Sequence, residues 1–167
     1  RYIVRFADLA TAYGLRVVAG NTPWGTPAGD YAAIQAGMED LRPAYEAVVR
    51  NGGRWGAHMY HAVDQSNRDY SCYRYRLYPA WFDPRYLVPT EGGFEYHGWR
   101  YIGMTEAEVI ADMSTIARNW AEDGLPAGLF FLTTTRNIGE WGNFKGTPRM
   151  WEAWGRLEAH QINEDQP

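Results

Sequence analysis

The chain has 167 residues, 46% of them hydrophobic and 22% charged, which is enough for one globular domain with a sizeable core. A formal net charge of −4 offers no basic footprint for a nucleic-acid partner, and no apolar run approaches the roughly 20 residues of a membrane-spanning helix. The single cysteine, Cys72, has no mate for an internal disulfide and reads as a bystander thiol.

Residues 2–13 are predicted as a helix, with Ile3, Phe6, Leu9, Ala10 and Tyr13 spaced for one apolar face and Gly14 as its stop. The chain opens inside this helix and without Met, so we expect an excised or processed segment. A β-branched run over 15–21 predicts a strand, ending at Asn21 before the Thr-Pro-Trp-Gly-Thr-Pro loop that holds Trp24. Residues 30–50 are predicted as the next helix. Asp30 is its N-cap, and Ile34, Met38, Leu41, Tyr45, Val48 and Val49 form its buried stripe. Pro43 should kink or divide it.

A second strand is expected over 55–62. A polar stretch rich in Arg and Tyr follows from Asp64 to Arg76, and 73–84 reads as a short helix or irregular structure. The third strand covers 87–90, so that Glu91 sits at its end and two glycines follow. A loop through His97 and Trp99 leads to a helix over 105–122, where Thr105 and Glu108 have the form of a capping box. The fourth strand is expected at 128–134, followed by a loop with Trp141 and Phe144 and a last helix over 147–160. Residues 1–162 make one domain on this reading, and 163–167 a frayed tail.

Alternation of helix and strand implies parallel strands joined by right-handed crossovers. Four β/α units of this length correspond to half of an eight-stranded (β/α)8 barrel. An open flavodoxin-like sheet is the other arrangement, but no glycine-rich phosphate loop accompanies it here.

In such barrels the chemistry sits at the carboxyl ends of the strands. Those ends carry Asn21 with Trp24, His58 with Tyr60, Glu91, and the segment from Thr134 to Trp141. Glu91 reads as a carboxylate nucleophile or as the partner of a strand-end arginine. His58 and Tyr60 are two residues apart on a strand and share a face. They read as groups that orient Glu91 or bind hydroxyls, or as satisfied core polar residues. Trp24, Trp99 and Trp141 read as stacking floors for a flat apolar ring or as packing. Arg68, Arg74 and Arg76 read as solvated or carboxylate-paired. His58, His61 and His97 lack a metal-ligand spacing, and no cofactor is implied.

In order, GLRVVAGNTPWGTP, GRWGAHMYH, YLVPTEGGFE with GWR, and GLFFLTTTRNIGEWGNF resemble strands five to eight of a clan A glycoside hydrolase, the cellulase-like (β/α)8 superfamily. The resemblance implies a retaining hydrolase of O-glycosidic bonds acting on an oligo- or polysaccharide. It makes Glu91 the nucleophile, Tyr60 and His58 its catalytic neighbours, and Trp141 the stacking tryptophan after the eighth strand; from their positions we expect Asn21, Trp24 and Trp99 to join Trp141 in binding the sugar. The clan's acid/base glutamate lies on strand four, and no Asn-Glu pair stands at a usable place here. Glu95 and Glu140 are the loop carboxylates that would have to substitute for it. We therefore expect little activity from this chain alone. A carbohydrate-binding half-barrel that pairs with itself as a homodimer is the alternative. The composition leaves the compartment, cytoplasmic or secreted, open.

Overall fold

The structure is a computed structural model that describes residues 1–23, 26–61, 68–94, 98–101, 103–126, 128, 145–153 and 155–156. The elements are helix α1 (Tyr2–Ala12), strand β1 (Val18–Thr22), helix α2 (Tyr31–Arg50), strand β2 (Arg54–His61), strand β3 (Leu87–Phe94), the one-turn helix α3 (Gly98–Tyr101) and helix α4 (Glu106–Glu122). Among the described residues, three short 3-10 turns lie between β2 and β3. The strands pair in the order β1-β2-β3, all parallel. The chain is thus of the α/β class, with a small parallel sheet. Of the expected fourth strand, all but Gly128 lies outside the described residues, as does the tail. The expected last helix is helical at 148–153 and 155–156.

The helix starts follow local chemistry. Asp30 accepts a hydrogen bond from the Ala33 amide at 3.0 Å and caps α2. At α4 the Thr105 side chain accepts from the Glu108 amide while Glu108 Oε2 accepts from the Thr105 amide, a closed capping box. Pro43, expected to kink or divide α2, leaves it one continuous element of 20 residues. It removes one backbone donor, but Met38 before it and Tyr45 and Val48 after it are buried in the same core, so packing on both sides outweighs the lost bond.

One face of the sheet is covered. Ile34, Met38, Tyr45 and Val48 of α2, Ile116 and Trp120 of α4, and Trp55, Ala57, Met59 and Leu87 of the strands form one cluster with Tyr73, Tyr75, Tyr78 and Phe82 from the β2–β3 connection. Much of the aromatic excess is spent here: the Tyr45 ring lies 4.7 Å from Phe82 and 6.1 Å from Trp55, centre to centre. Cys72 is fully buried in the same cluster, and burial pushes its thiol up to about 11. That environment suits a packing thiol and not a nucleophile.

Two boundaries differ from expectation. β1 begins at Val18, where its pairing with β2 starts opposite Arg54; Leu15 and Arg16 lie ahead of that first pair. β3 does not stop at Thr90. It runs on through Glu91 and both glycines to Phe94, paired to β2 throughout. On α1, the inward residues are Ile3, Ala7 and Ala10, whereas Phe6, Leu9 and Tyr13 of the expected apolar face are exposed.

Candidate active site

The site begins with a register shift. Ala57 pairs with Pro89, but His58 pairs with Glu91, so Thr90 is an extra residue in β3. Strict alternation would place Glu91 on the side of Leu87 and Pro89, both buried against the helices. The bulge reverses this and brings Glu91 to the face that carries His58 and Tyr60.

There the Tyr60 hydroxyl donates to Glu91 Oε2 at 2.9 Å. His58 Nδ1 stands 3.4 Å from the same oxygen, an ion-pair distance, and the two rings meet edge-on at 6.4 Å. Both contacts use Oε2. The His58 side chain is 21% exposed and that of Glu91 40%, so the carboxylate is reachable from solvent while its imidazole neighbour is mostly enclosed. Burial holds the Tyr60 phenol well above its ordinary range, and the hydrogen bond to Glu91 and its charge add to this. Tyr60 is therefore a neutral donor at any physiological pH. His58 Nε2 is buried and makes no hydrogen bond among the described residues.

Asn21 joins the group from β1. It sits at φ 42°, left-handed for a non-glycine residue, beside a break in the β1–β2 register. Its Oδ1 accepts a hydrogen bond from the Thr90 hydroxyl, whose oxygen also lies 3.3 Å from the Ala57 carbonyl. β1 and β3 flank β2, so this contact must pass over the middle strand. It does so at Gly56: a Cβ there would lie 3.1 Å from Thr90 Cγ2 and 3.2 Å from Asn21 Oδ1. A glycine in mid-strand is what lets two outer strands touch.

Thr90 is the member of this surface that sequence reasoning missed. Its signal was present, an extra residue between the inward Pro89 and Glu91, but a bulge is visible only against its partner strand. Of the other expected residues, Trp24 and Trp141 lie outside the described residues, as do Glu95 and Glu140. Trp99 is buried in a second cluster with Val109, Met113 and Met150, with the Arg100 guanidinium over its ring at 4.5 Å. The structure therefore places it in packing and does not bring it to Glu91.

The arginines divide. Arg68 pairs with Asp112 at 2.7 Å, and Arg76 with Asp123 at 2.7 Å and Asp69 at 3.7 Å. Arg74 departs from the expected solvated or paired group. It is buried and donates to the carbonyls of Tyr70 and Pro27, tying the β2–β3 connection to the loop after β1. His61 ends β2 on the helix side, 3.4 Å from Asp112, beside a cavity of about 520 Å³ that Arg68 and Glu108 also line. Among the described residues, no group of three or more His, Cys, Asp or Glu side chains could hold a metal ion, and no helix is long and apolar enough to cross a membrane.

No family model matches the chain, and no curated protein or solved structure matches it either.

Proposed function

We propose that the chain is the strand-five-to-eight half of a (β/α)8 glycoside hydrolase of the clan A kind, with Glu91 as the nucleophile of a retaining mechanism. The observation that carries this reading is the Tyr60 hydrogen bond to Glu91 Oε2 on a solvent-reachable sheet face. With Oε2 engaged by Tyr60 and approached by His58, Oε1 is the oxygen left to attack an anomeric carbon.

In this mechanism Glu91 forms a glycosyl ester as the leaving oxygen departs with a proton, and water then opens the ester. Tyr60 holds the carboxylate in place and donates to it as its charge is consumed. His58, 3.4 Å from the same oxygen, limits its rotation. Asn21 and Thr90 offer an amide and a hydroxyl to sugar hydroxyls along the same face. Trp24 and Trp141 remain the proposed stacking residues. The reaction also needs a general acid, and no residue of this chain is assigned that role. Loss of such a group alone costs about two to four orders of magnitude, so slow turnover of natural substrates is part of the reading.

Calorimetric titration with a panel of neutral monosaccharides and the matching iminosugars tests it. A protonated iminosugar places its cation against the nucleophile, as the transition state does. Glu91→Gln should weaken an iminosugar at least tenfold, about 1.4 kcal/mol, while a neutral sugar changes little. An iminosugar bound equally by both proteins, or no binding to any panel member, would refute the assignment.

A further inference from the structure

We propose that Asn51 and Gly52, at the end of α2, form a site of spontaneous deamidation, and that the contact between α1 and α2 holds it closed. Deamidation begins when the amide nitrogen of the following residue attacks the asparagine side chain. Glycine has no Cβ to block that approach, so Asn-Gly is the most exposed pairing to it. The sequence has one such pair, Asn51-Gly52.

The fold needs both residues. Gly52 sits at φ 70°, the left-handed position after a helix that side chains resist. Its N–H donates to the Val49 carbonyl and that of Gly53 to the Val48 carbonyl, each at 2.9 Å, the paired bonds that close a helix end. Asn51 is the C-cap of α2. Its Nδ2 donates to the Ala47 carbonyl at 2.8 Å and, across to α1, to Asp8 Oδ1 at 2.9 Å. The Thr11 hydroxyl donates to the Asn51 carbonyl at 3.4 Å, and Arg50 pairs with Asp8 at 3.5 Å. Asn51 thus ties the end of α2 to α1.

The same bonds oppose the reaction. The Gly52 nitrogen must give up its proton and bond to Asn51 Cγ. The Cγ–Nδ2 bond then breaks and ammonia leaves, and water opens the cyclic imide at either carbonyl to give aspartate or isoaspartate. In the folded chain the attacking nitrogen has its proton committed to Val49, and the leaving nitrogen has both of its hydrogens committed, to Asp8 and Ala47. The reaction therefore waits for α1 to come away from α2, a local opening. Its product opposes the return. Aspartate places an oxygen where Nδ2 stood, with no hydrogen for Asp8 or Ala47, beside a second carboxylate and at the negative end of α2. Isoaspartate lengthens the main chain and breaks the helix ending as well. Modification turns a transient release of α1 into a permanent one. The inference uses neither Glu91 nor a sugar, so it stands or falls apart from the catalytic reading.

Peptide mapping by mass spectrometry of the chain, incubated at mildly alkaline pH folded and in urea, tests it. Conversion at Asn51 should be at least about tenfold slower in the folded chain than in urea. Asp8→Ala, which removes the acceptor on α1, should speed the folded-state reaction at least about threefold and leave the rate in urea unchanged. Asp8→Asn, which keeps an acceptor oxygen, should stay near the wild type. Asn51→Asp should unfold at lower urea than Asn51→Ala, which loses the same donors without adding a charge. Equal rates in the folded chain and in urea, no conversion at Asn51 in urea, a folded Asp8→Ala chain that reacts at the wild-type rate, or an Asn51→Asp chain as stable as Asn51→Ala would overturn the proposal.

Discussion

At Glu91 the decisive contact is a single hydroxyl. Tyr60 reaches Oε2 at 2.9 Å, and a hydrogen bond to a charged group contributes about 1.5–3 kcal/mol. Tyr60→Phe removes the donor and keeps the ring. Because that hydrogen bond holds the carboxylate in its attacking orientation, glycosylation of Glu91 by an activated glycoside should slow about tenfold to a hundredfold on its loss; stopped-flow release of the aryl group would measure it. An unchanged rate would reduce the tyrosine to packing.

His61 gives a prediction of the opposite kind, in stability. Burial holds its imidazole below the ordinary value of 6.5, Asp112 acts against that and Arg68 adds to it. A folded state that binds the proton less readily than the unfolded chain gains stability above pH 6.5 and loses it as pH falls through the folded value. The unfolding temperature of the wild type should drop from pH 7 to pH 5, and His61→Gln should flatten that part of the profile. Parallel profiles for the two proteins would remove His61 from the account.

At the scale of elements, what was legible in the sequence was what local chemistry decides. Asp30 before α2 and the Thr105/Glu108 pair before α4 are side chains that bond to amides within three residues, so the sequence holds the whole interaction. Asp30→Ala should cost about 1 kcal/mol, read as a shift in the urea midpoint at constant slope. The first three strands and their parallel direction were also legible, from alternation with helices.

The rest depended on distant partners. Whether Pro43 divides α2 depends on what Met38 and Tyr45 pack against. Whether Phe6 is core depends on which side of α1 meets α2. The face of Glu91 depends on Thr90, an extra residue definable only against Ala57 and His58. Gly20 belongs with these. It sits at φ 91°, and a Cβ there would come within 2.4 Å of the Trp55 indole, so Gly20→Ala combines backbone strain with overpacking. We expect a loss of about 2–4 kcal/mol by denaturant unfolding, and a loss below 0.5 kcal/mol would mean that the indole moves freely.

For the whole molecule, the described residues form a three-stranded parallel sheet whose helix side is filled by aromatic packing and whose other face presents Asn21, His58, Tyr60, Thr90 and Glu91. Polar groups from all three strands meet on that face, and Gly56 keeps the ground between them clear. On the proposed reading the fold places one carboxylate where a ring can approach it and steadies it from the neighbouring strand.

The most direct measurement of the central claim is covalent trapping. A set of dinitrophenyl 2-deoxy-2-fluoroglycosides (gluco, galacto, manno and xylo) bypasses the general acid, because the leaving group departs without a proton. One of them should add a single glycosyl mass to the intact chain, peptide mapping should place it on Glu91, and Glu91→Gln should abolish it. A folded chain that takes up no label, or carries it at another residue, would contradict the assignment of Glu91 as nucleophile.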